Sequence, residues 1–365
     1  MKILFFIDGF RSGGKERRCI ELLKGIKDNP QFDIHIVSLR KEIVYPEFYK
    51  LNYSYYLIEK DGKLDPIIFI KFYKICKEIK PDIVHCWSSM NAAYSLFAKI
   101  LLKFKLINSQ ITDAPPKINW LSQFGIQTKL NFHFSDLILS NSFAGLKSYN
   151  APKEKSSVIY NGFDFNRIRN LTNKNKIRNR FNITTKYIIG MVSSFSEKKD
   201  YYSYIKAAIL ILGRRSDISF LCIGSGDDKP YKELVSKKIK GNIKFLGRQE
   251  KVESIMNACD IGVLMSNPAT HGEGISNAIM EFMALCKPVI ASESGGNGEL
   301  IKNNETGYII PSKKYKILEE KITFILDNTE IIHDFGKKGL EIIKNEFGMN
   351  RMVKDFQKAY KKIYE

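Results

Sequence analysis

Short apolar runs of strand length alternate along this chain with longer segments of helical periodicity, and the alternation starts twice. "KILFFID" leads through the turn "GFRSGG" into "KERRCIELLKGIK", where apolar positions 19, 20, 22, 23 and 26 recur at helical spacing. "FDIHIVSL", "PDIVHCW", "KLINSQI" and "SDLILSNS" read as further strands, with "IIFIKFYKICKEIK" and "LFAKILLKF" as helices between them. Repeated strand, helix, strand order implies right-handed crossovers and a parallel sheet covered on both faces.

The order restarts after the basic stretch "NRIRNLTNKNKIRNR", residues 166–180. "YIIGMVSSF", "ISFLCIGSG", "IKFLGR", "DIGVLMS" and "PVIAS" read as strands, and "YYSYIKAAILILGRR", "YKELVSKKI", "VESIMNAC" and "SNAIMEFMALC" as helices. "TGYIIP" closes the second sheet, and three amphipathic helices end the chain. A chain of 365 residues suits two medium cores better than one large one. The expected class is therefore α/β, with two Rossmann-like parallel-sheet domains of 1–168 and 169–345 and a terminal segment of 346–365. Ligands of such sheets bind outside the carboxyl ends of the strands, so two facing domains place the site in the cleft between them.

Composition narrows the functional classes. The six cysteines are scattered, without CxxC or CxH pairs, and read as reduced and mostly buried thiols. "MKILFFIDGF" reads as a first strand, not a signal peptide, and no window approaches the ~18 apolar residues of a membrane span. The expectation is a cytoplasmic chain, working at most on the inner membrane face. Net charge is +19, and residues 1–165 hold 24 basic against 16 acidic groups while residues 166–180 hold six basic and none acidic. No RRM, KH, zinc-finger or helix-turn-helix signature accompanies this field, so nucleic acid is not the expected partner. An anionic lipid surface or a phosphate-bearing ligand uses the same charge, and lysine-rich solvated faces need no ligand at all.

The chemistry concentrates in "HGEGISNAIMEFMALCKPVIASESGGNGELI", residues 271–301. Ser276 is a good N-cap for a helix whose first amides, lacking backbone acceptors at the positive end of the dipole, form a phosphate seat. Glu281 lies on the second turn, and helical side chains lean toward the N-terminus, so its carboxylate points back at that seat. Glu273, in the loop, reaches the other side. Carboxylates accept from vicinal hydroxyls and repel phosphate, so the pattern suits sugar hydroxyls flanking a phosphate, as in a nucleotide sugar.

Glu273-x7-Glu281 followed by "KPVIASESGGNGELI" resembles the donor-site signature of glycosyltransferase family 4, retaining enzymes of GT-B fold that build bacterial glycolipids, capsules and O-antigens. "GGKE" at 13–16, "VIYNGFD" at 158–164, "VSSFSEKKD" at 192–200, "IGSGDD" and "FLGR" are similar to five further family motifs, in family order. The resemblance implies an N-terminal acceptor domain and a C-terminal donor domain. It also implies that the last helix, with its apolar stripe at 352, 353, 356, 360 and 363, crosses back to the first domain.

It further implies catalytic roles for Glu273, Lys199 and Asp113. Glu281 would hold the ribose hydroxyls, Glu273 the transferred sugar, and Lys199 the diphosphate. The donor set it implies is Gly13, Gly14, Ser194, Lys199, Gly224, His271, Glu273, Gly274, Ile275, Ser276, Asn277 and Glu281. Ser194 stands where the family has an arginine, and Ile111 or Thr112 where it often has a histidine. Asp113 is the candidate for the lost contacts, and His85 is either a second candidate or a packed strand-end residue. No metal site is implied: "GDD" at 226–228 lacks a third ligand in view. The implied reaction moves a sugar from a UDP- or GDP-sugar to a glycan or polyprenyl-diphosphate-linked acceptor without a cofactor. The alternatives are another GT-B nucleotide-sugar enzyme such as an epimerase, or a basic membrane-surface or nucleic-acid binding module. The aromatic and basic stretches "YKLNYSYYLIEK" and "LLKFKL" mark the first domain as the side for any anionic membrane contact.

Overall fold

The computed structural model describes residues 1–11, 13–59, 62, 65–237 and 239–365. Ser12, Lys60 and Lys238, within segments quoted above, lie outside the described residues. The chain divides into Met1–Gly162 with Met349–Glu365, and Phe163–Gly348. The breaks fall a few residues from those read in the sequence because Phe163 N–H donates to the Phe347 carbonyl (2.7 Å), tying the entering and leaving chain together inside the second unit.

Seven parallel strands form the sheet of the first unit: β1 (Lys2–Ile7), β2 (Asp33–Ser38), β3 (Ser54–Leu57), β4 (Ile83–Cys86), β5 (Lys105–Ile111), β6 (Leu137–Ser140) and β7 (Ser156–Val158), in the order β3-β2-β1-β4-β5-β6-β7. Strand side chains alternate between faces, and both faces of this sheet are covered, so β1 is apolar from Ile3 to Ile7. Ile3, Phe5 and Ile7 join the core built with helices Gly14–Ile26 and Met349–Tyr364. Leu4 and Phe6 join the opposite core, with helices Ile67–Ile79 and Ser89–Leu102. The terminal helix buries Met352, Val353, Phe356 and Tyr360 on the first unit. Its close approach to helix Gly14–Ile26 needs glycine at 25, where a Cβ would lie 2.2 Å from Val353 Cγ2.

Two features of this unit depart from the pattern read in the sequence. "YSYYL" is strand β3 at the sheet edge, with Tyr53 Oη donating to the Leu23 carbonyl (2.8 Å) and Tyr55 Oη to the Arg40 carbonyl (3.3 Å). Most of "YKLNYSYYLIEK" is thus committed to the fold, as are Phe104 and Leu106 of "LLKFKL", which are buried. Helix Gln123–Phe134 was hidden from periodicity because it buries Gly125, Thr128, Asn131 and Phe132 while exposing Phe124, Ile126 and Leu130.

The second unit holds β8 (Tyr187–Val192), β9 (Ile218–Ile223), β10 (Ile243–Gly247), β11 (Ile261–Leu264), β12 (Val289–Ser292) and β13 (Gly307–Ile310), all parallel, ordered β10-β9-β8-β11-β12-β13. "YKELVSKKI" is not the helix its pattern suggests. A single turn, Lys229–Lys232, forms there, and Leu234, Val235 and Ile239 pack on the core from turns. Five cysteines are buried and Cys286 is exposed, none of them in a disulfide. Both sheets reverse their strand order once: between β1 and β4 in the first unit, and between β8 and β11 in the second.

Candidate functional site

Strands diverge in connection where a sheet reverses its order, and loops leaving the two strands open a crevice there. In the second unit these loops are also hydrogen-bonded to each other. Asp200 N–H donates to the Met265 carbonyl (2.9 Å), Asn267 N–H donates to the Lys198 carbonyl (3.0 Å), and Lys199 pairs with Ser266 in an antiparallel bridge. This pairing carries Lys199 to Glu273. Lys199 Nζ and Ser266 Oγ both donate to Glu273 Oε1, and His271 Nε2 stands 3.5 Å from Glu273 Oε2.

Glu273 is 6% exposed. Burial alone would raise its pKa, but the adjacent Lys199 charge and the His271 contact outweigh burial and hold the carboxyl well below the usual carboxylate range. The loop after β12 clamps its backbone. Gly296 N–H donates to the Glu273 carbonyl (2.8 Å), and Gly295, at φ +52°, passes so close that a Cβ would fall 2.0 Å from that oxygen. Only glycine fits both the left-handed backbone and the approach.

Helix Asn277–Ala284 starts at Ser276, whose side chain caps it by accepting from Ile279 N–H. Glu281, one turn in, is 8% exposed and meets an arginine absent from the expected site set. Arg167 Nη2 donates to Glu281 Oε1 (2.5 Å), while Nε and Nη2 donate to Glu253 Oε1 (3.0 and 2.6 Å). Gly274 and Ile275 are buried in the loop between the two glutamates, and Asn277 is half-buried. Ser194 is exposed and contacts Ser196 Oγ (3.0 Å). Gly224 ends β9, its N–H donating to the Gly247 carbonyl (3.0 Å).

Gly13, Gly14 and Asp113 belong to the first unit. Gly13 precedes helix Gly14–Ile26, and its N–H and carbonyl both bond Tyr45 Oη (3.2 Å each). At the reversal point of that sheet, Asp8 accepts from Ser88 Oγ (2.8 Å) and from Lys15 Nζ (2.6 Å), a group no motif announced. Asp113 accepts from Tyr149 Oη (3.0 Å); burial, with Asp113 beside it, pushes the Tyr149 phenol up and keeps it a donor. Tyr149 also lines a groove of about 580 Å³ with Trp120, Lys129 and Phe132.

His85 is packed inside the first unit. Fully buried, it contacts Tyr360 Oη (2.8 Å) and Ser109 Oγ (2.6 Å), and burial pushes its pKa well down. Asp227 and Asp228 of "GDD" serve Lys229 N–H (3.0 Å) and Lys232 Nζ (2.8 Å). Among the described residues no group of three or more His, Cys, Asp or Glu is placed to hold a metal ion, and no helix is long and apolar enough to cross a membrane.

Beyond Glu253 and Arg167, periodicity and motifs also missed Ser266. It is the second donor to Glu273, and as an ordinary strand-end serine it carried no signal. Arg167 had a faint one, since it follows "VIYNGFD" closely, but it was submerged in the basic run.

Comparison with known proteins identifies the family. The family model described as Glycosyltransferase Family 4 matches residues 12–167, and that described as Glycosyl transferases group 1 matches residues 173–341. An uncharacterized glycosyltransferase of Methanocaldococcus jannaschii is 24% identical over 96% of this chain and 95% of its own. The N,N'-diacetylbacillosaminyl-diphospho-undecaprenol alpha-1,3-N-acetylgalactosaminyltransferase of Campylobacter jejuni is 23% identical over 83% of this chain and 84% of its own. Among solved structures, Anabaena HepE in complex with UDP-glucose superposes with a TM-score of 0.84 at 20% identity, covering 99% of this chain and 100% of that one. With two parallel-sheet units of this topology and one family match on each, the chain is a glycosyltransferase of family 4, with the GT-B fold.

Proposed function

We propose that the protein is a retaining hexosyltransferase that moves a sugar from a UDP- or GDP-sugar to a growing, lipid-linked surface glycan. The observation that carries the reading is the buried Lys199–Glu273 pair at the reversal point of the second sheet, with Glu281 one helical turn away. An ammonium has three donors, so Lys199 can hold Glu273 and still meet a diphosphate, stabilising charge on the leaving group as the glycosidic bond breaks. Glu273, kept ionised, accepts hydroxyls of the transferred sugar. Glu281 accepts ribose hydroxyls, and the amides at Asn277 and beyond face the phosphates. Charge neutralisation then comes from Lys199 and the helix N-terminus without a metal. Retention follows a front-face route in which the departing phosphate takes the proton of the incoming hydroxyl.

Two relatives support the finer points: a UDP-glucose complex is known for HepE, and the Campylobacter enzyme is named for a diphospho-undecaprenol acceptor. The acceptor is assigned to the first unit, where Tyr149 links Asp113 to a groove with aromatic walls suited to sugar rings. A screen of UDP- and GDP-sugars with polyprenyl-diphosphate acceptors, run with EDTA and followed by analysis of the product anomer, tests the whole reading. An inverted product, or strict dependence on added divalent cation, overturns the mechanism.

The lipid-linked acceptor also calls for a membrane surface on the first unit, and one feature supports it. Helices Ile67–Ile79, Ser89–Leu102 and Gln123–Phe134 pack in succession and expose Ile67, Ile70, Phe97, Ile100, Leu101, Phe124, Ile126 and Leu130. Lys71, Lys74, Lys77, Lys103 and Lys129 are exposed on or beside the same helices. Apolar side chains with interspersed cations suit an anionic bilayer surface on the inner membrane face, working from the cytoplasm. The chain should therefore sediment with vesicles containing phosphatidylglycerol, less so as salt rises, and Ile70→Glu with Leu101→Glu should abolish it. Equal sedimentation with neutral vesicles, or an unaffected double variant, removes this surface from the reading.

A further inference from the structure

We infer that Arg167 is a positioning residue for the nucleotide, acting through Glu281 without touching the ligand. The inference rests on the reading that Glu281 accepts ribose hydroxyls. Arg167 stands in the short 3-10 turn Phe165–Ile168, which Asp164 caps by accepting Asn166 N–H (2.9 Å). Its guanidinium lies 5.2 Å from the Phe163 ring centroid and bridges two carboxylates, Glu253 and Glu281. The three side chains of this triad are only 13%, 14% and 10% exposed.

Two carboxylates so far withdrawn from water repel each other, and the shared guanidinium offsets that repulsion. The planar fork also fixes rotation. Nε and Nη2 both anchor the guanidinium on Glu253 Oε1, so Nη2 meets Oε1 of Glu281 from a fixed direction and leaves Oε2 for a vicinal diol. Remove the guanidinium and Glu281 faces Glu253 alone. Glu281 then turns away from the like charge, which deprives the ribose of an oriented acceptor. A lysine restores the charge but not the fork, so it recovers the function only in part.

The test is a double-mutant cycle read by calorimetry on the full chain, with UDP and GDP as probes. Arg167→Met should weaken the nucleotide that the wild type binds by roughly 5- to 20-fold, and Arg167→Lys by roughly 2- to 5-fold. Glu281→Gln should weaken it by roughly 10- to 150-fold. Because Arg167 acts through Glu281, adding Arg167→Met to Glu281→Gln should change affinity by no more than about twofold. A purely structural role, or a direct contact with nucleotide, predicts that the arginine penalty survives in the Glu281→Gln background, and that result overturns the inference. So does wild-type affinity in Arg167→Met. If the wild type binds neither nucleotide, or Glu281→Gln binds as well as wild type, the reading of Glu281 itself falls first. Thermal unfolding checks that Arg167→Met is folded, and Arg167→Lys carries the test if it is not.

Discussion

Replacing Lys199 by methionine is expected to lower turnover by about 10²- to 10³-fold and to destabilise the protein as well. The rate loss follows from removing the cation assigned to the leaving diphosphate, where a preorganised charge acts in a water-poor site. The stability loss follows from the pairing. Glu273 is almost fully buried, and methionine fills the space of lysine while leaving the carboxylate with Ser266 and His271 alone. Breaking one side of a buried pair typically costs about 3–5 kcal/mol.

The pH dependence carries a definite sign. In the wild type the Glu273 pKa is depressed, so its contribution is present above the unfolded value of about 4.3 and is lost as pH falls below it. In the variant, burial without the cation pushes Glu273 up, so the variant regains stability as pH falls from neutral toward 5. Urea unfolding at pH 8 and pH 5 should therefore show a large deficit at the higher pH and a smaller one at the lower. A deficit equal at both values would mean that Glu273 is not the group left stranded.

Much of the fold was legible because most strands here are buried on both faces. A run such as Ile3–Ile7 has no polar interruption, and the helix beside it starts at glycine and repeats its apolar positions. Legibility failed where burial was one-sided or inverted. Strand β3 sits at an edge, half-exposed, so its tyrosines look like surface aromatics. Helix Gln123–Phe134 buries Thr128 and Asn131 because Asn131 Nδ2 and Gln127 Nε2 bond the Ser89 carbonyl (2.8 and 2.9 Å), a demand set by a distant segment.

The candidate site divides in the same way. Glu273, Glu281 and the Ser276 cap lie within one continuous stretch, where spacing and helix geometry suffice to relate them. The Lys199–Glu273 pair spans 74 positions, and the Arg167–Glu281 pair spans 114. Such contacts depend on which strands become neighbours, which no local pattern states. They also change what each residue is available for. Lys199 is already engaged by a carboxylate, and Glu281 already has one oxygen occupied.

These prior engagements set the expected behaviour of the two glutamates. Glu281→Gln should weaken free nucleoside diphosphate and intact donor alike, by roughly 10- to 150-fold, since a charge-assisted hydrogen bond contributes about 1.5–3 kcal/mol. Glu273→Gln should behave oppositely toward the free nucleotide. Its proposed contact is with the transferred sugar, which nucleoside diphosphate lacks, and its loss frees the Lys199 Nζ donor that Glu273 holds. Affinity for nucleoside diphosphate should therefore hold or rise, while turnover falls by a factor of about 10 to 150. If both acids merely favoured the start of helix Asn277–Ala284, the two substitutions would lower stability slightly and equally, and neither would separate binding from rate. Calorimetry with nucleoside diphosphate on both variants decides between these accounts. Matching affinities would sink the division of roles, because Glu281 is assigned to the ribose, which nucleoside diphosphate carries, and Glu273 to the transferred sugar, which it lacks.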